Sequence, residues 1–411
     1  MTVRIEKPAF NVRDKLSELD KPVGLKGTEL MRSETVDDAR NLIGAGRRNL
    51  IINGAMEVAQ RKSSGEYTGQ ATYATVDRMR GQYAVPNTDP ITEAHVLTSG
   101  DVGPWAEGFR KSYRMKIGYQ GTAGAAHFYG AQYRIEAQDI ASSGWDYNSS
   151  TSYMTLSFWI KSSVTYNPSW YFRVKDGTEK IYRWQPGMLV SNTWTKIIKT
   201  FPGNSGLTFD NDNNEGFQFN FSPYWGTNYS SSNPTMDSWE NFDSASRAKD
   251  TDPIWFETNG STMEITGLQL EVGSTATKFE HLPYSEDLRR CQRYFAVYHP
   301  TSQERIYFEA SNTTHRWWEH PIPPGMRAEP AITKGGTCSS LSIGIAGGFT
   351  INSLATTGVD NGGASGTTHP GSMGNVSYRV GTTGSGGDSY SVRHTDGWAN
   401  GAGWINMDCE L

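Results

Sequence analysis

The sequence predicts a mainly β protein: an antiparallel jelly-roll sandwich, then a short helix and a smaller distal β-domain, all preceded by an extended N-terminal arm. Three observations carry this prediction. The 411-residue chain has 44 Gly, 20 Tyr, 16 Phe and 13 Trp, together with many Ser, Thr and Asn, which is the composition of strands joined by frequent turns. From Arg47 to about Leu282, short runs of alternating apolar and polar residues are broken by Gly, Asn and Pro. The stretch GLQLEVGSTATKFEHLPYSEDLRRCQRYF, residues 267–295, changes period halfway: Leu268, Leu270 and Val272 alternate like a half-buried strand, and from Ser285 the spacing becomes helical.

Residues 1–46 mix charges with isolated apolar residues and cannot form a core alone. Ile5, Phe10, Leu16, Leu19, Val23, Leu25 and Leu30 would be wasted in a solvated tail, so this arm is expected to order against a partner chain. Within it, Ser33 followed by Glu34, Asp37 and Asp38 reads as a capped helix start that ends at Gly44.

Residues 47–282 hold strand candidates at 111–120, 153–163, 169–184, 192–201, 215–225 and 261–273. Lys175-Asp176-Gly177-Thr178 interrupts the third of these as a hairpin turn of the Asp-Gly type. Residues 283–295 read as a connecting helix: Pro283 closes the last strand before it and Ser285 caps its first turn. Glu286 and Asp287 suit its dipole, and Leu288, Cys291, Tyr294 and Phe295 share one face. Residues 296–411 form the smaller β-domain, with strand candidates at 305–311, 340–348, 375–381 and 403–411. A Gly/Thr/Ser stretch, 356–374, is too polar to fold unaided, which points to an oligomer.

Composition excludes several classes. A formal net charge of -5 and no long Lys/Arg run argue against a nucleic-acid partner. No apolar stretch approaches the roughly 18 to 20 residues of a membrane span, and MTVRIEKPAF lacks a signal-peptide core, so synthesis in a cytosol is expected. Cys291, Cys338 and Cys409 are too scattered for a disulfide framework or a zinc site. No nucleophile elbow, zincin helix or phosphate loop is present, and the carboxylates Glu257 with Glu264, or Asp237 with Glu240, read as surface charges before they read as a glycosidase pair. The chain is therefore expected to be no enzyme and to need no cofactor. In DNDNNEG, Asp210, Asp212 and Asn214 alternate as in a calcium loop. Glycine arrives one place late at Gly216, and Phe221 stands where a bidentate glutamate belongs, so an EF-hand is excluded; a tight turn and a structural calcium remain as readings.

Three stretches taken together carry a resemblance: RRNLIINGAMEVAQR (47–61) with TVDRMRG (75–81), residues 267–295, and WINMDCEL (404–411). They resemble tailed-phage virion proteins, namely tail fibres and related appendages with a carbohydrate-binding-module-like jelly roll. The resemblance implies a virion-attachment arm, a jelly-roll body, a connecting helix, a distal β-domain and homotrimeric assembly. It also implies residence in the phage particle, other tail or capsid proteins as partners, and host surface glycan as ligand. The arm is short and without heptads, so a compact appendage fits as well as a long shaft. Sugar rings stack on aromatic faces, and loop-like segments offer Tyr224, Trp225, Tyr229 and Trp239, with Trp317 and Trp318 in the distal unit. These aromatics would otherwise plug the ends of the sandwich or sit between subunits. A capsid decoration or tail connector, and a glycan-cleaving appendage, are the rival functions.

Overall fold

The computed structural model describes Arg32, residues 49–66, 71–84, 91–118, 121–298 and 404–411, the strands between 305 and 393 given below, and parts of 323–330 including Arg327. The chain divides into two units, Met1–Asn49 and Leu50–Leu411. The arm residues Ile5, Phe10, Leu16, Leu19, Leu25 and Leu30, and the helix start at Ser33, lie outside the described residues.

In chain order the first part contains β1 (Ser64–Glu66), β2 (Ala71–Thr72), β3 (Met79–Ala84), β4 (Ile91–Val96), β5 (Lys111–Lys116) and β6 (Phe128–Glu136). After helix α1 (Ala137–Ala141) come β7 (Tyr153–Ser162), β8 (Trp170–Val174), β9 (Lys180–Trp184), β10 (Thr195–Pro202) and β11 (Glu215–Trp225). Then follow β12 (Ser230–Ser231), β13 (Trp239–Asn241), β14 (Ala248–Lys249), helix α2 (Ile254–Glu257) and β15 (Thr262–Val272). They build a six-stranded sheet, β1-β4-β5-β15-β7-β10, and a seven-stranded sheet, β13-β9-β8-β11-β6-β3-β2. Every pairing in the two sheets is antiparallel. This is the expected sandwich.

Period-2 alternation explains the core. In β11, Phe217, Phe219 and Phe221 all turn inward, against Phe158 of β7, Phe172 of β8 and Phe201 of β10. Trp170 and Trp184 meet edge to face at 5.3 Å in the same core. Each such ring, fully buried, contributes roughly 2 to 3 kcal/mol of transfer free energy, so the aromatic wealth of the sequence is spent mainly here. The β8–β9 connection is a five-residue loop, since Val174 pairs with Lys180, and Gly177 supplies its left-handed residue at φ 59°. It is longer than the two-residue turn that Asp-Gly suggests.

Helix α3 (Tyr284–Cys291) follows, and it starts one residue before Ser285: Pro283 is its N-cap with no side-chain cap, so Ser285 lies inside the first turn. Beyond it are β16 (Phe295–Tyr298), β17 (Arg305–Ala310), β18 (His315–Pro321), β19 (Ala331–Gly335), β20 (Ser342–Ile343), β21 (Phe349–Asp360), β22 (Asn375–Thr382), β23 (Tyr390–Arg393) and β24 (Trp404–Asp408). They form a three-stranded sheet, β16-β24-β19, and a six-stranded one, β20-β21-β22-β18-β17-β23. The last strand therefore pairs with the first of this region, Phe295 opposite Asp408.

That pairing brings the three motif stretches to one joint. Asn53, at φ 60°, clamps its own loop: Nδ2 donates to the Val58 and Asp77 carbonyls and Oδ1 accepts from the Val58 N–H. Arg78, at φ 71° and fully buried, ion-pairs with Glu410, donates to the Arg134 carbonyl at 2.6 Å and lies 3.4 Å above the Tyr294 ring. Such a backbone angle in a non-glycine residue is strained and persists only where its surroundings fix it. Tyr294 in turn donates to Glu136 at 2.6 Å, and Arg293 grips the same carboxylate through Nε and Nη2. Cys291 and Tyr294 close an apolar cluster with Ile52 and Val58, which docks the helix as its spacing predicts. Cys291 and Cys409 are free thiols, and burial pushes the Cys291 thiol up; Cys338 lies outside the described residues.

Removing one partner of a buried ion pair strands the other charge. Arg78→Met is expected to lower stability by about 3 to 5 kcal/mol in denaturant unfolding, and Glu410→Gln to do so with the same sign. A second expectation concerns Asp77, whose carboxyl is raised by burial, against the pull of Arg61 and Gln60, to about 6 from 3.8. A raised folded-state value means that its contribution is full below the unfolded value and is lost as pH rises through about 6. The advantage of the parent over Asp77→Asn should be largest near pH 4 and shrink by about 3 kcal/mol by pH 7. A pH-independent gap in parallel unfolding curves would contradict this.

Candidate functional site

The inward alternation that fills the core sends the intervening residues to the outer face of the seven-stranded sheet, and most of these are polar. Register lines them up across strands. One row runs Arg80, Gln132, Asn220, Tyr171, Arg183, each residue directly opposite the next. A parallel row runs Arg134, Gln218, Arg173, Ile181, Glu240. Opposed side chains on such a face have Cβ atoms about 5 Å apart, so the two rows together run across six strands, polar except where Tyr171 and Ile181 join an apolar cluster. Arg80 Nη1 donates to Gln132 Oε1 at 2.8 Å, Gln132 Nε2 donates to Gln82 Oε1 at 2.7 Å, and Ser222 Oγ donates to Asn220 Oδ1 at 2.6 Å.

Its floor is nearly dry: Gln218 is 2% and Asn220 1% exposed, whereas Arg80 and Arg173 are half-buried around them. Gln82 Nε2, Gln218 Nε2, Asn220 Nδ2, Arg134 Nε and Trp225 Nε1 have no hydrogen-bond partner. Buried amide groups are rarely left so, because each unmade hydrogen bond costs about 1 to 3 kcal/mol.

One end of the face is aromatic. Trp225 stacks on Phe128 at 5.3 Å and meets Tyr229 edge-on at 6.0 Å, and the Arg247 guanidinium sits 5.0 Å from the Tyr229 ring. The segment carrying β12 and β14 folds over Tyr171 and Ile181 here, through Ala248. Of the aromatics singled out in the sequence, Trp225 and Tyr229 thus come together on this face, Trp225 buried and Tyr229 half-buried. Tyr224 and Trp239 do not offer a ring to solvent. A bulge between Phe221 and Tyr224 inverts the alternation, so Tyr224 turns inward against Phe256 at 5.0 Å. Trp239 lies in the core against Tyr182, its indole donating to the Pro202 carbonyl at 2.7 Å. Both are core residues, and Trp225 is itself only 3% exposed, packed against Phe128 and Tyr229, so the expectation of glycan stacking is corrected for all three: a sugar needs an accessible ring, and of these four aromatics Tyr229 is the one left half-buried. Trp317 and Trp318 fall in β18, and their side chains lie outside the described residues.

The six-stranded sheet carries a second, smaller cluster that the sequence reading missed. Trp105, Trp159 and Trp194 are half-buried around Leu97 and Phe109. Trp159 donates to Glu107 at 3.0 Å and Trp194 to Asp101 at 2.8 Å, while Lys196 and Lys161 pair with the same carboxylates. Gly103, at φ 100°, leaves the space for Trp159, since a Cβ there would stand 2.7 Å from the indole. Burial raises both carboxyls, but for Asp101 the Thr98 N–H, the Trp194 indole and Lys161 outweigh it, and for Glu107 Lys196 and Trp159 do. Both are held below their ordinary values, which suits acceptors of hydrogen bonds and not proton donors.

The remaining candidates have structural partners. Glu257 accepts from the Ala123 N–H, Glu264 pairs with Lys161, Asp237 with Lys199 and Glu240 with Arg183. In the 210–216 loop the Asp212 and Asn214 carbonyls take the N–H groups of Gln138 and Ala137 at the start of α1, and Asp212 Oδ1 accepts from the Asn214 N–H. Asp210 donates its own N–H to Asp176. The loop serves as a turn that caps a helix, and among the described residues no three His, Cys, Asp or Glu converge to hold a metal ion.

No family model matches the sequence, and no curated protein matches it. Solved structures resemble parts of it weakly. The enzymatically active domain of tailspike protein 4 of bacteriophage CBA120 is 12% identical over 55% of this chain, with TM-score 0.26, and the match spans only 21% of the tailspike. The carbohydrate-binding module CtCBM11 is 12% identical over 53% of this chain and 99% of its own length, with TM-score 0.25. The family 30 carbohydrate-binding module of a Clostridium thermocellum cellulosomal cellulase is 8% identical over 54% of this chain and 95% of its own, with TM-score 0.23. At such scores these likenesses carry no functional weight, and the site has to be read from its own residues.

Proposed function

We propose that this chain is a virion appendage of a tailed phage, a tail fibre or fibre-like receptor-binding protein, which holds host-surface glycan on the outer face of its seven-stranded sheet. The observation that carries the reading is the pair of cross-strand polar rows ending in the Trp225 and Tyr229 cluster. Saccharides present hydroxyls on their edges and apolar C–H groups on their faces, and a surface of amides beside aromatic rings matches both. The meeting of the three phage-like stretches at one joint supports the tail assignment, since they then mark a shared architecture.

In this reading the N-terminal arm docks on other tail or capsid proteins and the chain assembles with copies of itself, as a trimer in the resembling family. Several weak glycan sites on one oligomer, repeated around a particle, give adhesion by effective concentration. The role is non-catalytic, because the carboxylates that would form a glycosidase pair are each committed to a structural donor.

Labelled protein should bind host cells saturably, and an excess should block phage adsorption. Tyr229→Ala, at a half-buried ring, should weaken binding about tenfold with little change in melting temperature. A folded protein that neither binds nor blocks would favour a capsid decoration or tail connector, and release of reducing sugar from envelope material would favour a glycan-cleaving appendage.

A further inference from the structure

Resting on the glycan reading, a further property follows from the chemistry that the unpartnered atoms require. On the outer face five of them are N–H groups, at Gln82 Nε2, Gln218 Nε2, Asn220 Nδ2, Arg134 Nε and Trp225 Nε1, against a single acceptor, Glu215 Oε1. The neighbouring amide oxygens are already taken. Gln132 Oε1 accepts from Arg80 and Arg134, Gln82 Oε1 from Gln132, and Asn220 Oδ1 from Ser222.

Charge leans the same way. Among the described ion pairs Arg134 has Glu215, Arg173 has Glu179 and Arg183 has Glu240, whereas Arg80 is in no such pair and only feels Glu215 from further off, and Arg247 is in none. Burial, with Arg134 beside it, lowers the Arg80 guanidinium below its usual value, the direction that a bound anion would reverse. On a chain of net charge -5, two guanidiniums outside any ion pair on one face run against the average. A neutral hydroxyl brings a proton along with each pair of acceptor sites, whereas a carboxylate, sulfate or phosphate brings acceptors alone, and its hydrogen bonds are the stronger.

We infer that the saccharide received on this face is anionic, its charged group taken up between Arg80 and the amides of Asn220 and Gln218. Neutral residues of the same polymer would lie toward Tyr229.

The test is an immobilised panel of uronate-, sulfate- and phosphate-bearing glycans beside their neutral counterparts, probed with the full chain at low and at raised salt. The expected result is retention of acidic glycans only, weakened by salt, and reduced about tenfold or more by Arg80→Met and by Gln218→Met. Gln218→Met also removes an unpartnered donor, so it should melt no lower than the parent, which separates lost binding from lost folding. Equal retention of neutral glycans, or a Gln218→Met variant that binds like the parent, overturns the inference while leaving the glycan reading in place. A folded chain that retains no glycan of either kind overturns both.

Discussion

Burial of one guanidinium organises this molecule. Arg78 sits in a left-handed backbone conformation with its charge out of water, a costly arrangement that holds only because Glu410, the Arg134 carbonyl and the Tyr294 ring converge on it. Those partners come from β6, from the turn between α3 and β16 and from the tail after β24. Satisfying Arg78 therefore brings the last strand back beside β16 and sets where the helix leaves the sandwich. The change of period within residues 267–295 is explained by this: a strand completes the sandwich, and a helix turns the chain into the joint.

The same sheet has two faces with opposite accounts. Inside, aromatic and aliphatic side chains pack together, and the few polar tips among them, such as the Trp170 and Trp239 indoles, donate to backbone carbonyls. Outside, long amides and guanidiniums stand in rows and leave donors unmet. An apolar residue at Gln218 or Asn220 would be less costly to a free-standing fold, and retention of polar groups at such positions is the usual mark of a surface that trades stability for recognition. Rigidity helps here, because sites built on strands hold their geometry better than sites on loops.

Much of the fold was legible in the sequence because the period-2 signal is strong where aromatics alternate with polar residues. EGFQFNFSPYW coincides with β11, and the joint motifs were visible as stretches. Strand β6 escaped notice, since Gly130 and Ala131 dilute its alternation; the structure shows that Gly130 leaves room for Ser222. The face was not legible at all: Arg80, Gln132, Asn220, Tyr171 and Arg183 become neighbours only through register, which no local pattern states. The aromatic candidates divided for a local reason. One bulge in β11 sends Tyr224 to the core and Trp225 to the outer face.

The central claim is that the outer face of the seven-stranded sheet is where glycan is held. A crystal structure of the protein with a bound envelope oligosaccharide tests it most directly. The account predicts sugar oxygens within about 3.2 Å of Gln218 Nε2 and Asn220 Nδ2, with a ring against Tyr229. Sugar bound instead over Trp159 and Trp194, with the amide rows still empty, would contradict it.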